Sequence, residues 1–68
     1  MQGIFVVMAI LLYNLQRREH KFEELSEKLE NTLDKSEIRG AINRLIQLGY
    51  VLKSEDVYRV NIGKLLHV

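Results

Sequence analysis

The first stretch of the chain is dominated by hydrophobic residues. Residues 4–13 form an unbroken apolar run of ten residues, and polar residues up to Arg18 follow it. That length favours one helix over residues 2–18 rather than a strand, and the two arginines at its end suit the negative end of a helix dipole. The apolar residues lie on all sides of this helix, which is more apolar surface than one small core can cover.

A second helix is predicted over residues 23–30 by an amphipathic pattern. Phe22, Leu25 and Leu29 share one face at helical spacing, and two glutamates in the first turn complement the helix dipole. The residues just before this helix, 20–22, leave room for a very short extended stretch. Two polar residues after the helix break the pattern and predict a tight turn.

The third helix has the clearest predicted limits. Asp34 is the expected N-cap, Glu37 stands at the capping-box position three residues later, and Gly49 is the usual residue just after a helix end. Successive residues at 100° steps divide this helix into two faces. The apolar face comprises Ile38, Ala41, Ile42, Leu45 and Leu48, and the polar face comprises Ser36, Arg39, Gly40, Asn43, Arg44 and Gln47.

After the third helix the hydrophobic period shortens from that of a helix to that of a strand. Residues 50–53 and 57–62 predict two strands, and residues 54–56 predict a short hairpin loop between them. The tail, residues 63–68, is compatible with a last helical turn or with an extra strand. The whole pattern predicts one α+β domain over residues 1–68, with three helices followed by a two-stranded hairpin.

The net charge of +1 hides an uneven distribution. Residues 1–18 carry +2, residues 19–37 hold seven acidic and three basic side chains for a net charge of −4, and residues 38–68 carry +3. An acidic middle therefore stands beside a basic C-terminal half. A near-neutral total charge is thus compatible with a local basic face that attracts a polyanion.

Composition argues against several classes of protein. There is no cysteine, and the two histidines, His20 and His67, lack metal-ligand spacing, so no disulfide, metal or other cofactor is expected. The apolar run of ten residues is shorter than the roughly 18 of a membrane span, and no basic segment or cleavage site indicates a signal peptide. We therefore expect an intracellular, cytoplasmic protein that does not bind membranes, and no small-molecule pocket is readable.

The order of elements, together with residues 34–51, resembles the winged helix-turn-helix proteins. The MarR- and ArsR-type regulators and the small winged-helix proteins of archaea and their viruses look closest. The resemblance covers about residues 20–62 and is carried by the capped third helix and the ending Leu45-Ile46-Gln47-Leu48-Gly49-Tyr50-Val51. It implies a sequence-specific double-stranded DNA-binding regulator of transcription, with the third helix as the recognition helix in the major groove and the hairpin as the wing.

By that resemblance, the DNA contacts fall on the outer face of the third helix and on the wing. Arg39 would donate two hydrogen bonds to guanine and Asn43 would pair with adenine, although both are also ordinary surface residues. Gly40 costs stability in an exposed helix, which suits either close approach of DNA or neutral drift. The predicted set is Lys35, Ser36, Arg39, Gly40, Asn43 and Arg44 on the helix and Lys53 and Arg59 on the wing strands.

The surplus apolar surface of the first helix predicts a homodimer. A chain of this length buries only roughly 60% of its unfolded surface, so packing shared with a second copy would stabilise it. The alternative is that the same residues close a well-filled monomer core. A two-fold dimer would present two recognition helices about 34 Å apart to a palindromic site. The expected interface residues are Ile4, Phe5, Met8, Leu11 and Leu12.

Two acidic features weigh against DNA binding. The second helix is acidic, and residues 55–56 place two carboxylates at the hairpin tip, where DNA phosphates would repel them. The alternative function is a winged-helix protein-interaction module of a replication, transcription or membrane-remodelling assembly. An enzyme is not expected, because no catalytic triad, Cys/His pair or glycine-rich phosphate loop is present. His20 is expected at the surface or between elements rather than as a catalytic base.

Overall fold

The computed structural model describes residues 3–66. The three strands of this part of the chain form one antiparallel sheet in the order β1-β3-β2, so the fold is α+β, as the hydrophobic pattern predicted. The elements in chain order are α1 (Ile4–Arg17), β1 (His20–Lys21), α2 (Phe22–Lys28), α3 (Lys35–Leu48), β2 (Val51–Ser54), β3 (Val57–Val60) and α4 (Ile62–Leu65).

The described part of the chain has one helix and one strand more than the three helices and two strands that were predicted. The short extended stretch is strand β1, in which His20 and Lys21 pair with Tyr58 and Val57 of β3. The tail begins with a helical turn, α4, rather than an extra strand. Both elements are short, and each is stabilised by contacts with distant parts of the chain that a local pattern does not record.

Element boundaries differ from the predicted ones by one or two residues. α1 begins at Ile4, and residue 2, where the prediction began, lies outside the described residues. α2 covers Phe22–Lys28 rather than residues 23–30. β3 ends at Val60 because Asn61 turns the chain into α4, where its side chain accepts a hydrogen bond from the backbone N–H of Lys64 at 3.4 Å.

Helix α3 has the limits that its capping residues predicted. Asp34 precedes it in extended backbone, and the Asp34 N–H donates a hydrogen bond to Glu37 Oε1 at 3.0 Å. Gly49 ends it with a φ of 86°, and the Tyr50 N–H donates to the Leu45 carbonyl at 2.9 Å. A left-handed residue at this place allows the last carbonyl groups of a helix to be satisfied, so the chain turns directly into β2.

The core lies between α1, α3 and the sheet. α1 and α3 pack against each other, α1 also contacts β3, and α3 also contacts β2. The predicted apolar face of α3 is confirmed for its first four residues, whereas Leu48 is 40% exposed at the helix end. The buried cluster comprises Val7, Leu11, Leu15, Leu25, Leu33, Ile38, Ala41, Ile42, Leu45, Val51, Tyr58 and Val60. No helix within residues 3–66 is both long and apolar enough to cross a lipid bilayer.

Candidate nucleic-acid interface

All six residues predicted on the outer face of α3 are exposed. The buried face of the helix fixes this orientation, because Ile38, Ala41, Ile42 and Leu45 are at most 1% exposed and lie on the opposite side. The exposed residues are Lys35, Ser36, Arg39, Gly40, Asn43 and Arg44, of which Lys35 lies at the helix start on the Ile42 side of the helix and not opposite the core. Gln47 is exposed on the same helix, one turn beyond Asn43.

This outer face has an uncharged centre and cationic flanks. At 100° per residue, Ser36, Gly40, Asn43 and Gln47 lie opposite the buried residues. Arg39 and Arg44 stand on the two sides of that strip, about 140° apart around the helix axis. A small, uncharged strip between two arginines is suited to a groove that has anions on both rims. We call this surface, residues 36–47 on the exposed side of α3, the α3 outer face.

The single acidic residue within α3 does not oppose this arrangement. Glu37 is half-buried, and its Oε1 accepts the hydrogen bond from Asp34 N–H at the start of the helix. A carboxylate at this end of a helix is stabilised by the helix dipole. The negative charge is therefore held at the helix start and not on the exposed strip.

None of the cations predicted to contact DNA has an acidic partner within residues 3–66. Within residues 3–66, the ion pairs are Arg18–Glu24 at 3.2 Å and Lys21–Asp56 at 3.8 Å. Both pairs are exposed, so each contributes little to stability. Lys35, Arg39, Arg44, Lys53 and Arg59 are therefore without a carboxylate partner in the described part of the chain, as are three cations outside the predicted set, Arg17, Lys28 and Lys64.

Arg39 has a neighbour that the sequence analysis missed. Its guanidinium carbon lies 4.1 Å from the centroid of the Phe22 ring, at the start of α2. A cation within about 6 Å of a ring centroid is attracted by the negative face of the ring. Phe22 was assigned to the apolar face of the second helix only, and no local signal joins two residues that are far apart in the sequence.

The two predicted hairpin cations lie on opposite sides of the sheet. Lys53 pairs with Tyr58 and shares its side, with the Lys53 Nζ 5.8 Å from the Tyr58 ring centroid. Arg59 pairs with Leu52 on the other side. Because side chains alternate along a strand, one flat surface cannot contact both cations. Lys53 lines a groove together with Phe22, the residue that Arg39 contacts, so Lys53 lies on the side of the hairpin that faces Arg39. Arg59 lies on the opposite side of the hairpin.

The hairpin tip is acidic, as predicted, but one of its two carboxylates is paired. The loop between β2 and β3 is only Glu55 and Asp56, shorter than the predicted three residues. Glu55 adopts a φ of 58°, a left-handed conformation that two-residue hairpin loops require. Asp56 approaches Lys21 of β1, so part of the negative charge at the tip is offset locally.

Lys35 stands apart from the arginines. It lines an open groove of about 420 Å³ between α2 and the start of α3, together with Glu23, Glu27, Glu30 and Asp34. The acidic face of α2 predicted from the sequence therefore adjoins Lys35. Carboxylates at this density make Lys35 less suited to a phosphate than Arg39 or Arg44.

His20 is buried between elements, which is the second of its two expected positions and not the surface. It is 1% exposed, its Nδ1 lies 2.8 Å from the Arg18 carbonyl oxygen, and its Nε2 lies 3.4 Å from Lys28 Nζ. An ammonium group only donates, so Nε2 accepts and Nδ1 carries the proton that is donated to the carbonyl. Burial lowers the pKa of this imidazole below 6.5, and the charges of Arg18 and Lys28 lower it further. His20 is thus a neutral structural residue.

The outer side of α1 is apolar and exposed near its start. Ile4 is 48% exposed, Phe5 80%, Val6 48% and Tyr13 60%. Of the five predicted interface residues, Leu11 is wrong, because it is 0% exposed and belongs to the core of this chain. Met8 and Leu12 are half-buried against that core, so Ile4 and Phe5 are the members that remain on the surface.

Comparison of the chain with protein-family models, curated proteins and solved structures found no match in any of the three. Its function is therefore inferred from the residues themselves. Among residues 3–66, no three acidic or histidine side chains come together as metal ligands.

Proposed function

We propose that this chain is a winged helix-turn-helix protein that binds double-stranded DNA, with α3 as the recognition helix and the β2–β3 hairpin as the wing. The observation that carries the proposal is the α3 outer face, an exposed, acid-free strip flanked by Arg39 and Arg44. A helix inserted into the major groove needs such a strip against the base edges and cations near the phosphates.

Two further features support this proposal. α2, a turn and the capped α3 follow one another, and the left-handed Gly49 leads α3 into the hairpin. Lys53 lies on the side of the hairpin that faces Arg39, where it is available to contact the DNA backbone. The acidic tip of the wing argues against its insertion into the minor groove, so the wing contact in this proposal is that of Lys53 and not of the tip.

The proposal is tested by the salt dependence of binding to a labelled duplex, measured by fluorescence anisotropy. If Arg44 and Lys53 each neutralise one phosphate per protomer, a dimer gives a slope of about −4 in log affinity against log salt. Affinity should then fall about 10²-fold between 50 and 200 mM salt. A flat response, or no binding at low salt, would contradict DNA binding.

Single variants locate the contact. Arg39→Ala should weaken binding to a selected site by about 1–3 kcal/mol and relax the preference at one base pair. The matched control is Arg18→Ala, which removes the same charge from the end of α1, where Arg18 is already paired with Glu24. If Arg39→Ala loses as much affinity for random DNA as for the selected site, Arg39 contacts a phosphate and not a base. If Arg39→Ala and Arg18→Ala lose the same affinity, α3 has no special role in binding.

We propose further that the chain binds DNA as a homodimer through the exposed apolar side of α1. Phe5 and Val6 are exposed, and no residue from Ile4 to Tyr13 is charged. Two copies can therefore meet there without burying an ion. One protomer measures 32 × 24 × 19 Å, a size at which two copies side by side suit recognition helices about 34 Å apart.

The dimer is tested by the mass in solution. Phe5→Glu should give a monomer in sedimentation equilibrium, because a carboxylate on each copy would be buried against the other. Gln16→Glu adds the same charge near the far end of α1 and serves as the control. A wild-type chain that is monomeric at micromolar concentration, or a Phe5→Glu variant that still dimerises, would contradict this interface.

A second function is favoured by one specific observation, the acidic groove between α2 and α3. Glu23, Glu27 and Glu30 face solvent there, and together with the apolar side of α1 they would suit a protein-interaction module. The salt titration separates the two functions. Binding of the duplex with a steep slope supports the DNA-binding function, and absence of duplex binding supports the interaction module.

A further inference from the structure

The contact between Arg39 and Phe22 differs from the other cation–ring contacts of the molecule. Among residues 3–66, four arginine or lysine side chains lie over aromatic rings. Three of them lie 5.8 to 5.9 Å from the ring centroid, whereas Arg39 lies at 4.1 Å. Only the Arg39 guanidinium is therefore in direct contact with the ring face.

The fold fixes both partners of this contact. Phe22 is the first residue of α2 and is half-buried against the core, so its ring cannot move far. Arg39 is on the flank of α3 that faces the start of α2. α2 and α3 are joined through the core cluster, in which Leu25 and Ile38 are both 0% exposed. The ring and the guanidinium are therefore brought together by rigid elements and not by a flexible loop.

The chemistry of the pair leaves the guanidinium available to a ligand. Arg39 is exposed and has no carboxylate partner among the described residues. Contact with the ring occupies the face of the planar group, whereas its N–H donors lie along the edge. A stacked arginine is therefore held in place while its donors remain free for two acceptors at once.

The surroundings of the ring match this role. Phe22 also lines a groove of about 240 Å³ between α2 and the hairpin, together with Lys21, Lys53, Tyr58 and two carboxylates, Glu23 and Asp56, of which Asp56 is paired with Lys21. Phe22 thus lies where the Arg39 flank of α3 and the Lys53 side of the hairpin meet. The two elements that contact DNA in the proposed function, α3 and the hairpin, therefore both adjoin the Phe22 ring.

We propose that Phe22 is a positioning residue for DNA binding: its ring holds the Arg39 guanidinium at the edge of the α3 outer face before the duplex arrives. The proposal rests on the proposed function. An arginine that is already ordered loses less side-chain freedom when it binds, so the same hydrogen bonds give tighter association. Phe22 itself does not contact the duplex in this account.

The test compares two substitutions of Phe22 by duplex anisotropy. Phe22→Leu keeps an apolar side chain against the core but removes the ring, and Phe22→Tyr keeps the ring. We expect Phe22→Leu to weaken binding about two- to fivefold, as loss of an exposed cation–π contact would, and Phe22→Tyr to bind as wild type. In an Arg39→Ala background, Phe22→Leu should have no further effect.

A spectroscopic measurement tests the contact without DNA. The ring current of Phe22 should shift the side-chain proton resonances of Arg39 upfield in the free protein, and Phe22→Leu should abolish that shift. If Phe22→Leu does not fold, Arg39→Lys replaces it, because lysine keeps the charge but lacks the planar group. That variant should bind more weakly than wild type, and unchanged affinity would overturn the proposal.

The outcomes separate this proposal from the proposed function. Wild-type binding with a loss for Arg39→Ala but none for Phe22→Leu overturns the role of Phe22 and leaves DNA binding standing. An equal loss for Phe22→Leu with and without Arg39 shows a structural role and also overturns it. Absence of duplex binding by the wild-type chain overturns both.

Discussion

Helices α1 and α3 are each fourteen residues long and pack against each other, yet their outer sides differ in chemistry. α1 exposes 80% of Phe5 and 60% of Tyr13. α3 exposes serine, glycine, asparagine and arginine at the corresponding positions away from the core. Both helices bury one apolar stripe, so the difference is confined to the surface that the fold itself does not use.

This difference indicates two kinds of surface. A polar outer side is the ordinary state of a helix in water, and only the placement of its cations and its glycine calls for an explanation. A contiguous apolar outer side costs solubility and gains nothing within one copy, which is typical of a protein–protein contact. The difference supports the two proposals made above, DNA binding through α3 and a dimer contact through α1.

The largest expected effect is on the free energy of unfolding, and it distinguishes the buried side of α1 from its exposed side. Leu11→Ala should lower the free energy of unfolding by about 2–5 kcal/mol, because a fully buried leucine leaves a cavity. Phe5→Ala is the control, and at a concentration where the chain is monomeric it should change that free energy by no more than about 0.5 kcal/mol. Urea unfolding measures both, and similar losses would show that the two sides of α1 had been assigned wrongly.

The next largest effect is that of Gly40→Ala, which should raise the stability of the fold but lower the affinity for DNA. Nothing lies within 4 Å of a Cβ placed at Gly40, so Gly40→Ala should stabilise the fold by about 1 kcal/mol through helix propensity. The added methyl group should weaken DNA binding about tenfold if the duplex approaches α3 closely.

Gly3→Ala is the matched control for binding, since its Cβ also meets nothing within 4 Å but lies at the start of α1. Thermal unfolding and duplex anisotropy measure the two effects. A Gly40→Ala variant with wild-type affinity would show that the duplex does not contact this position.

A third test addresses the segment between α1 and α2. Burial lowers the pKa of His20 below 6.5, so below that pH the unfolded chain binds a proton that the folded chain resists. The stabilising contribution is therefore complete above about pH 6.5 and decreases as the pH falls. Arg18 and Lys28 oppose protonation, whereas Glu24 favours it, and Glu27 lines the same groove.

The measurement is the thermal midpoint at about pH 7.5 and pH 5.5, a window chosen to lie around the usual histidine pKa. The midpoint should fall at the lower pH for wild type, and the fall should be smaller for His20→Gln. A wild-type midpoint that is equal at the two pH values would contradict a buried, neutral His20.

The smallest expected effect lies at the hairpin tip. Glu55 has a φ of 58°, which strains an L-residue, so Glu55→Gly should raise the free energy of unfolding by up to about 1 kcal/mol. Asp56→Gly is the control and should not stabilise, because Asp56 has no positive φ. Chemical denaturation compares the two, and equal effects would contradict the strain at Glu55.

The parts of the fold that were predicted correctly are those specified by local signals. Asp34 and Gly49 determine the limits of α3 through their own backbone conformation, and the period of its apolar residues determines which side is buried. β1 was visible only as a short extended stretch, because its two residues become a strand by pairing with β3, far along the chain. Local patterns do not record such pairing.

The candidate site was predictable to a similar degree. The exposed residues of α3 follow from its period, but α1 is apolar all round, so Leu11 and Phe5 could not be assigned to opposite sides. The separation of Lys53 from Arg59 was not predictable, because the predicted loop of residues 54–56 would pair Lys53 with Val57, on the Arg59 side, whereas the shorter observed loop pairs it with Tyr58. Nor was the contact of Arg39 with Phe22, because it depends on how α2 and α3 pack.

The most direct test of the account is a map of the surface that changes when duplex DNA is added, obtained from the backbone amide resonances of the ¹⁵N-labelled chain. If α3 is the recognition helix, the largest shifts fall on residues 36–47 and near Lys53, while residues 4–13 of α1 remain unchanged. Shifts confined to α1 or to the acidic groove beside α2, or no shifts at low salt, would contradict DNA binding through α3.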